Sequence, residues 1–323
     1  MNRILMMKGA RILTDICTGI KEREKVLIVT DTDMVEIAEV LASAVHERRG
    51  EVTIAVMTPR KIDGEEPTSI VAQAMQGAEV IFMPVSKSLA HTTAVRAALA
   101  KGAGVLSMTA FTEDLMIRGG IEVDFSKQKP ICEKVAGILT QGKMVKLTSL
   151  AGSNITMSIE GRSGNAHACV ITPGKFSAVP NIEANISPVE GTSEGTIVAD
   201  ASIPYMGIGL LAEPIRFSVN KGAVNKIEGG SQAIYLEKIL AEQNDPNVYN
   251  IAQLAIGLNP MIPNVTGVML NDEGAFGTVH IGIGTSSNIG GVVKASAHFD
   301  LVMYKPTLEI DGKQILKDGD LKI

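Results

Sequence analysis

At 323 residues the chain exceeds one compact domain of ordinary size, and length alone predicts about two. Its 45% hydrophobic residues supply a sizeable core, but aromatics make up only 3%, with no Trp against 15 Met, which argues against an aromatic stacking platform for single-stranded nucleic acid. A formal net charge of -5, with Lys and Arg dispersed, leaves no electrostatic footprint for DNA or RNA.

The first 150 residues alternate short apolar runs with helical patterns. KVLIVTD (25–31) reads as a buried strand, followed by an amphipathic helix over 33–49 with Met34, Ile37, Ala38, Leu41 and Val45 at helical spacing. EVTIAVM (51–57) is a second strand, 67–76 a second helix, AEVIFMPV (78–85) a third strand, 92–101 a third helix and AGVLSMT (103–109) a fourth strand. That rhythm predicts βαβ units and a parallel sheet. Beyond about residue 140 the texture changes to alternating apolar and polar residues between Gly, Asn and Ser turns. RFSVNKGAVNKIEGG reads as a hairpin, the tail carries an Asp-Gly turn between two strands, and helices are expected near 231–243 and 247–255. The predicted fold class is an α/β N-terminal domain with a parallel sheet, followed by a mainly antiparallel β (α+β) metal-binding domain. The expected division is a Rossmann-like domain at 1–140 and a β-rich catalytic domain at 141–323.

Cys17, Cys132 and Cys169 are odd in number and far apart, so neither a zinc ribbon nor a disulfide framework is indicated, and a reducing cytoplasmic compartment is expected. The N-terminus lacks a signal-peptide core, and no run of about 18 apolar residues predicts a membrane span. No membrane or nucleic-acid partner is expected. GxGxxG after the first strand, the Walker GxxxxGK[ST], G-x-S-x-G and His-Glu-x-x-His are all absent, which removes the dinucleotide, P-loop, serine-hydrolase and zincin readings.

The chemistry gathers late in the chain. Of five histidines, His280 and His298 fall within NDEGAFGTVHIGIGTSSNIGGVVKASAHFDLVM. His298 and Asp300 form His-x-Asp, and residues two apart on a strand face the same way. His280 offers a third ligand from a neighbouring strand. Two His and one carboxylate with open positions suit non-haem Fe(II), and the same set plus a Glu suits Zn, Co or Mn. Glu183 sits among apolar residues, where an unpaired charge is costly and a metal would be a partner. Glu190 and Glu194 read as solvated turn residues. His91 follows the third strand near a helix start, where open α/β sheets gather ligands, and is a candidate acid/base or substrate contact. His46 reads as structural at a helix end, and nothing in the spacing of His167 assigns it a role.

The stretch GAFGTVHIGIGTSSNIGGVVKASAHFDLVMYKPTLEIDG, with PNIEANISPVEGTSEGTIVAD and NVYNIAQLAIGLNP, resembles the aminopeptidase T/AmpS metallo-aminopeptidases. It equally resembles the 2,5-dihydroxypyridine 5,6-dioxygenases. The first resemblance implies metal ligands at Glu183, His280, His298 and Asp300, with Gln253 where those relatives carry a second Glu. The second implies Fe(II) on the closing His-x-Asp, again with Gln253 at a ligand position, and a pocket histidine at His91.

Two enzymatic readings follow, a hydrolase of an amide or peptide bond using a metal-activated water, and a ring-cleaving dioxygenase acting on a hydroxylated N-heterocycle. In either, His91 or Glu273 would move protons. The cofactor is a divalent ion: Zn, Co, Mn or Fe(II). The substrate is a small molecule or short peptide, and a homo-oligomer is implied by the resemblance alone. The non-enzymatic reading is a metal-stabilised binding protein.

Overall fold

The computed structural model describes residues 2–90 and 92–323. The chain divides into two compact units, 1–129 with 168–180, and 130–167 with 181–323. The sequence boundary at 140/141 therefore differs from the structure in two places. Residues 130–140 belong to the second unit, and the chain returns to the first at Ala168. The reason for the return is a three-residue strand, Phe176–Ala178, which pairs in parallel with Val105–Ser107 and adds a fifth strand to the first sheet.

In the first unit that sheet runs in the order Glu51–Met57, Lys25–Asp31, Val80–Val85, Gly104–Thr109, Phe176–Ala178, with every pairing parallel. The central strands are buried almost throughout, as a parallel sheet covered on both faces requires, whereas the edge strand Glu51–Met57 exposes most of its residues. Helices Val35–Glu47, Ser69–Met75 and Thr93–Ala100 follow the first three strands, as the periodicity predicts.

The last of these helices starts on Thr92, whose hydroxyl accepts from Val95 N–H, while the Glu66 carboxylate accepts from the N–H groups of Thr93 (2.5 Å) and Ala94 (3.2 Å). Slight burial pushes the Glu66 pKa up, but these donors outweigh it and leave it below the usual glutamate range. A carboxylate with a depressed folded-state pKa stabilises above its unfolded pKa and loses that contribution as pH falls. Glu66→Gln is therefore expected to lower Tm by roughly 1–3 °C at neutral pH and by nothing in acid well below about pH 4, in paired thermal melts.

The second unit holds two antiparallel sheets. The hairpins predicted at Ile215–Asn220/Ala223–Glu228 and Thr307–Ile310/Lys313–Lys317 are present. Their two-residue turns, Lys221-Gly222 and Asp311-Gly312, have both φ values positive, the geometry that matches strand twist. The predicted helix near 231–243 is Ser231–Glu242. The helix expected over 247–255 is not one: a single 3₁₀ turn, Pro246–Tyr249, leads into the strand Ile251–Gly257. IAQLAIG is apolar enough to fit either period. Strands pair with it on both sides and every residue is buried, an environment that local spacing does not reveal. Among the described residues no helix is long and apolar enough to cross a membrane.

The other antiparallel sheet positions the site. Its order is Gly209–Leu210, Ser202–Ile203, His298–Met303, Val279–Gly284, Ile251–Gly257, Glu183–Ile186, Asn165–His167.

Candidate metal centre

Residues paired across an antiparallel ladder project to the same face, and alternate residues along each strand share it. His298 pairs with Gly284, Asp300 with Gly282 and Val302 with His280. Ala255 pairs with both His280 and Asn185, Gln253 with Gly282, and Gly257 with Glu183. One face of four adjacent strands thus carries Glu183, Asn185, Gln253, His280, His298 and Asp300 over a floor of Ala255, Gly257, Gly282 and Gly284. The opposite face is apolar: Ala184, Ile186, Leu254, Ile256, Val279, Ile281, Ile283, Phe299, Leu301 and Met303 are all buried. Burial of that face fixes the register, and the register gathers the polar groups. A β-bulge between Ile251 and Gln253 keeps Gln253 on the polar side.

Glu183, His280 and Asp300 have side chains no more than 5% exposed, whereas His298 is 20% exposed and marks the open side of the cluster. The His280 Nε2 lies 3.4 Å from Glu183 Oε2 and 3.9 Å from Asp300 Oδ1, and His298 Nε2 lies 3.2 Å from Asp300 Oδ1. His298 Nδ1 faces the Thr285 carbonyl at 2.9 Å. A carbonyl only accepts, so Nδ1 carries the hydrogen and, in the neutral ring, Nε2 keeps its lone pair. Burial alone would lower the His298 pKa; the charge and hydrogen bond of Asp300, with Thr285 and Glu183, outweigh it and raise it. Burial likewise works to raise Asp300, but His298 and His280 hold it well below the ordinary carboxylate range.

Glu273 joins this cluster through Tyr205, a residue that no sequence motif marked. The Tyr205 hydroxyl stands 2.6 Å from Asp300 Oδ2 and 3.0 Å from Glu273 Oε1. Asn181 Nδ2 donates to Glu273 Oε2 (2.9 Å) and Glu183 Oε2 (3.1 Å), using both amide hydrogens. Asp300, Tyr205, Glu273, Asn181, Glu183 and His280 therefore form a closed ring of polar contacts. A phenol has one hydrogen, so contact with two carboxyl groups requires a proton on one of them. Burial, reinforced by the charges of Asp300 and Glu183, pushes the Glu273 pKa far up, which favours its protonated form. Burial, with Asp300 and Glu273 beside it, also raises Tyr205.

Glu183 is held by amides. Its Oε1 accepts from Asn185 Nδ2 (2.6 Å) and Gln253 Nε2 (3.3 Å), and its Oε2 accepts from Asn181. Gln253 Nε2 also lies 3.3 Å from His280 Nε2. Gly282 is required where it stands: a Cβ there would lie 2.6 Å from His298 Cε1, 2.7 Å from its Nε2 and 2.9 Å from Gln253 Cβ.

Two imidazoles and up to three carboxylates are donors suited to a divalent ion. Donors at about 2.0–2.2 Å from a common ion lie roughly 3 Å apart, and the 3.2–3.9 Å separations along Glu183, His280, Asp300 and His298 are close to that. The set fits the chemistry of a metal. In the arrangement seen the donors meet one another, and among the described residues no group of three or more His, Cys, Asp or Glu side chains stands ready to hold an ion. The structure thus brings together Glu183, Glu273, His280, His298 and Asp300. His91 lies outside the described residues. His167 pairs in register with Glu183 at the edge of the same sheet. Glu190 is no solvated turn residue: it is ion-paired with Arg162 and accepts from Val292 N–H (2.9 Å).

Comparison with known proteins agrees with this architecture. A curated relative, the 2,5-dihydroxypyridine 5,6-dioxygenase of Pseudomonas putida KT2440, is 24% identical over 196 residues, which are 57% of this chain and 55% of that protein. The match thus spans about half the length of that relative. Among solved structures, 2,5-dihydroxypyridine dioxygenase from Pseudomonas putida KT2440 superposes with a TM-score of 0.83 at 19% identity, covering 100% of this chain and 98% of its own. Wild-type AmpT from Thermus thermophilus gives 0.76 at 13% identity with full coverage of both. These two likenesses establish the fold, an α/β parallel-sheet region followed by antiparallel sheets. The profile of the 2,5-dihydroxypyridine 5,6-dioxygenase family, NicX, matches residues 15–323, and the chain belongs to that family.

Proposed function

We propose that this protein is a metal-dependent ring-cleaving dioxygenase acting on a hydroxylated N-heterocycle such as a dihydroxypyridine, with the metal on His280, His298 and Asp300. The observation that carries the reading is the convergence of His280, His298 and Asp300 on one face of two paired strands, a two-histidine, one-carboxylate set. Family membership supports the reaction class. Fe(II) held there supplies the electron chemistry that couples dioxygen to an electron-rich ring.

The chain's own residues define the remaining roles. Thr285 fixes the His298 tautomer, and Tyr205 occupies Asp300 Oδ2, which leaves Oδ1 and both Nε2 atoms on the inner side. Glu273, whose raised pKa favours a bound proton, would be the proton donor to a ring oxygen. Glu183, taken from the sequence as a fourth ligand, accepts from three amides and stands beside the ligating Nε2 of His280. Tyr205→Phe removes the donor to Asp300 and is expected to weaken metal binding by about 10–100-fold, read by titration of the apoprotein.

A metal-dependent amide hydrolase is the second reading. What favours it is the surplus of carboxylates, Glu183 and Glu273, beyond the three-residue set, together with the AmpT-like fold. Elemental analysis of the purified protein, followed by assays of dihydroxypyridines and amides with and without oxygen, separates the two. Anaerobic turnover of an amide would replace the dioxygenase reading.

A further inference from the structure

The role given above to His298 depends on its ring orientation, which the Thr285 carbonyl sets at Nδ1. Thr285 opens the connection 285–297 between the strands Val279–Gly284 and His298–Met303. This loop folds on Ser286. The Ser286 N–H donates to the Val293 carbonyl (2.9 Å), its carbonyl accepts from the N–H groups of Ile289 and Gly291 (3.0 Å each), and its hydroxyl accepts from Val293 N–H (3.2 Å). Gly291 packs so closely there that a Cβ would lie 2.2 Å from Ser286 Oγ.

Two side chains from elsewhere in the same unit grip the far end of the loop. Arg162 Nη1 donates to the Gly290 carbonyl (2.7 Å), and Glu190 Oε1 accepts from Val292 N–H (2.9 Å). Arg162 Nη2 and Glu190 Oε2 close on each other. Their side chains are 16% and 25% exposed, against 57% and 46% for the surface pair Arg11–Glu47. A pair this sheltered is screened little by solvent, so it holds its two backbone contacts firmly.

We propose that Arg162 and Glu190 are positioning residues for His298. Their ion pair fixes the Gly290–Val292 end of the loop. Through Ser286 that fixes the Thr285 carbonyl, which selects the Nδ1–H tautomer and leaves Nε2 facing Asp300. The consequence for metal binding rests on the reading of His298 as a ligand; the effect on the ring itself does not.

The test is long-range proton–nitrogen NMR of the histidine rings in metal-free protein, at a pH high enough that the His298 ring is neutral, with thermal melts and zinc titration alongside. In Arg162→Met the His298 nitrogens are expected to move toward an averaged tautomer while those of His280 stay in place, and zinc affinity falls by about tenfold or more. Arg162→Lys, which keeps the charge but not the forked donor, gives a smaller change. Unchanged His298 nitrogens in folded Arg162→Met would overturn the proposal, whatever the change in Tm. If that variant does not fold, Glu190→Gln decides by the same spectrum. It keeps an acceptor for Val292 N–H and loses the charge, so a shift at His298 is expected and its absence refutes the coupling. A shifted His298 in a protein that binds no metal would leave this inference standing and remove the functional reading instead.

Discussion

Asp300→Asn is expected to abolish metal retention and to lower ring-opening kcat by on the order of 10³-fold or more, with the fold intact. Asp300 is the one carboxylate of the cluster with contacts to both histidines, His298 at 3.2 Å and His280 at 3.9 Å. Asparagine keeps the shape and an oxygen but loses the charge that offsets a divalent ion in a buried setting. Elemental analysis and oxygen uptake check the outcome. Glu183→Gln is the informative partner: with its oxygens accepting from Asn181, Asn185 and Gln253, its replacement should leave metal stoichiometry unchanged. Loss of the metal from Glu183→Gln would instead make Glu183 a ligand and favour the hydrolase.

Gly282→Ala is expected to cost about 10²-fold in kcat while the protein remains folded. The added Cβ would fall 2.6–2.7 Å from two ring atoms of His298, so the ring must turn away from Asp300 or lose the Thr285 carbonyl. The sheet cannot yield easily, because Gln253 Cβ closes the other side at 2.9 Å. Gly137→Ala serves as the control, since nothing lies within 4 Å of a Cβ there and the position is helical. That variant should match the parent in activity and metal content; equal activity of Gly282→Ala would show that His298 is not held as described.

The parallel sheet was legible because βαβ units declare themselves locally, in apolar runs such as KVLIVTD and VIFMPV separated by amphipathic helices. The fifth strand, Phe176–Ala178, was not, because three residues carry no period and its partner strand lies some 70 residues earlier. His280, His298 and Asp300 could be read from spacing, since the strand period puts His and Asp of His-x-Asp on one face. Tyr205 and Asn181 left no trace in the sequence: each lies in an irregular segment, Tyr205 acts on carboxylates 68 and 95 residues away, and Asn181 joins Glu183, two residues on, to Glu273, 92 residues away. Glu190 was misread for the same reason. A glutamate in a Gly-rich turn looks solvated until Arg162, 28 residues earlier, is placed beside it. IAQLAIG was misassigned because burial on both faces erases the alternation that distinguishes a strand from a helix.

The most direct test of the central claim is to reconstitute the protein with Fe(II) and supply 2,5-dihydroxypyridine under isotopically labelled dioxygen. The expected result is a ring-opened product carrying both labelled oxygen atoms, with oxygen consumed in equal amount to substrate and no turnover when oxygen is removed. Turnover of an amide without oxygen, or a product bearing oxygen from water alone, would contradict it.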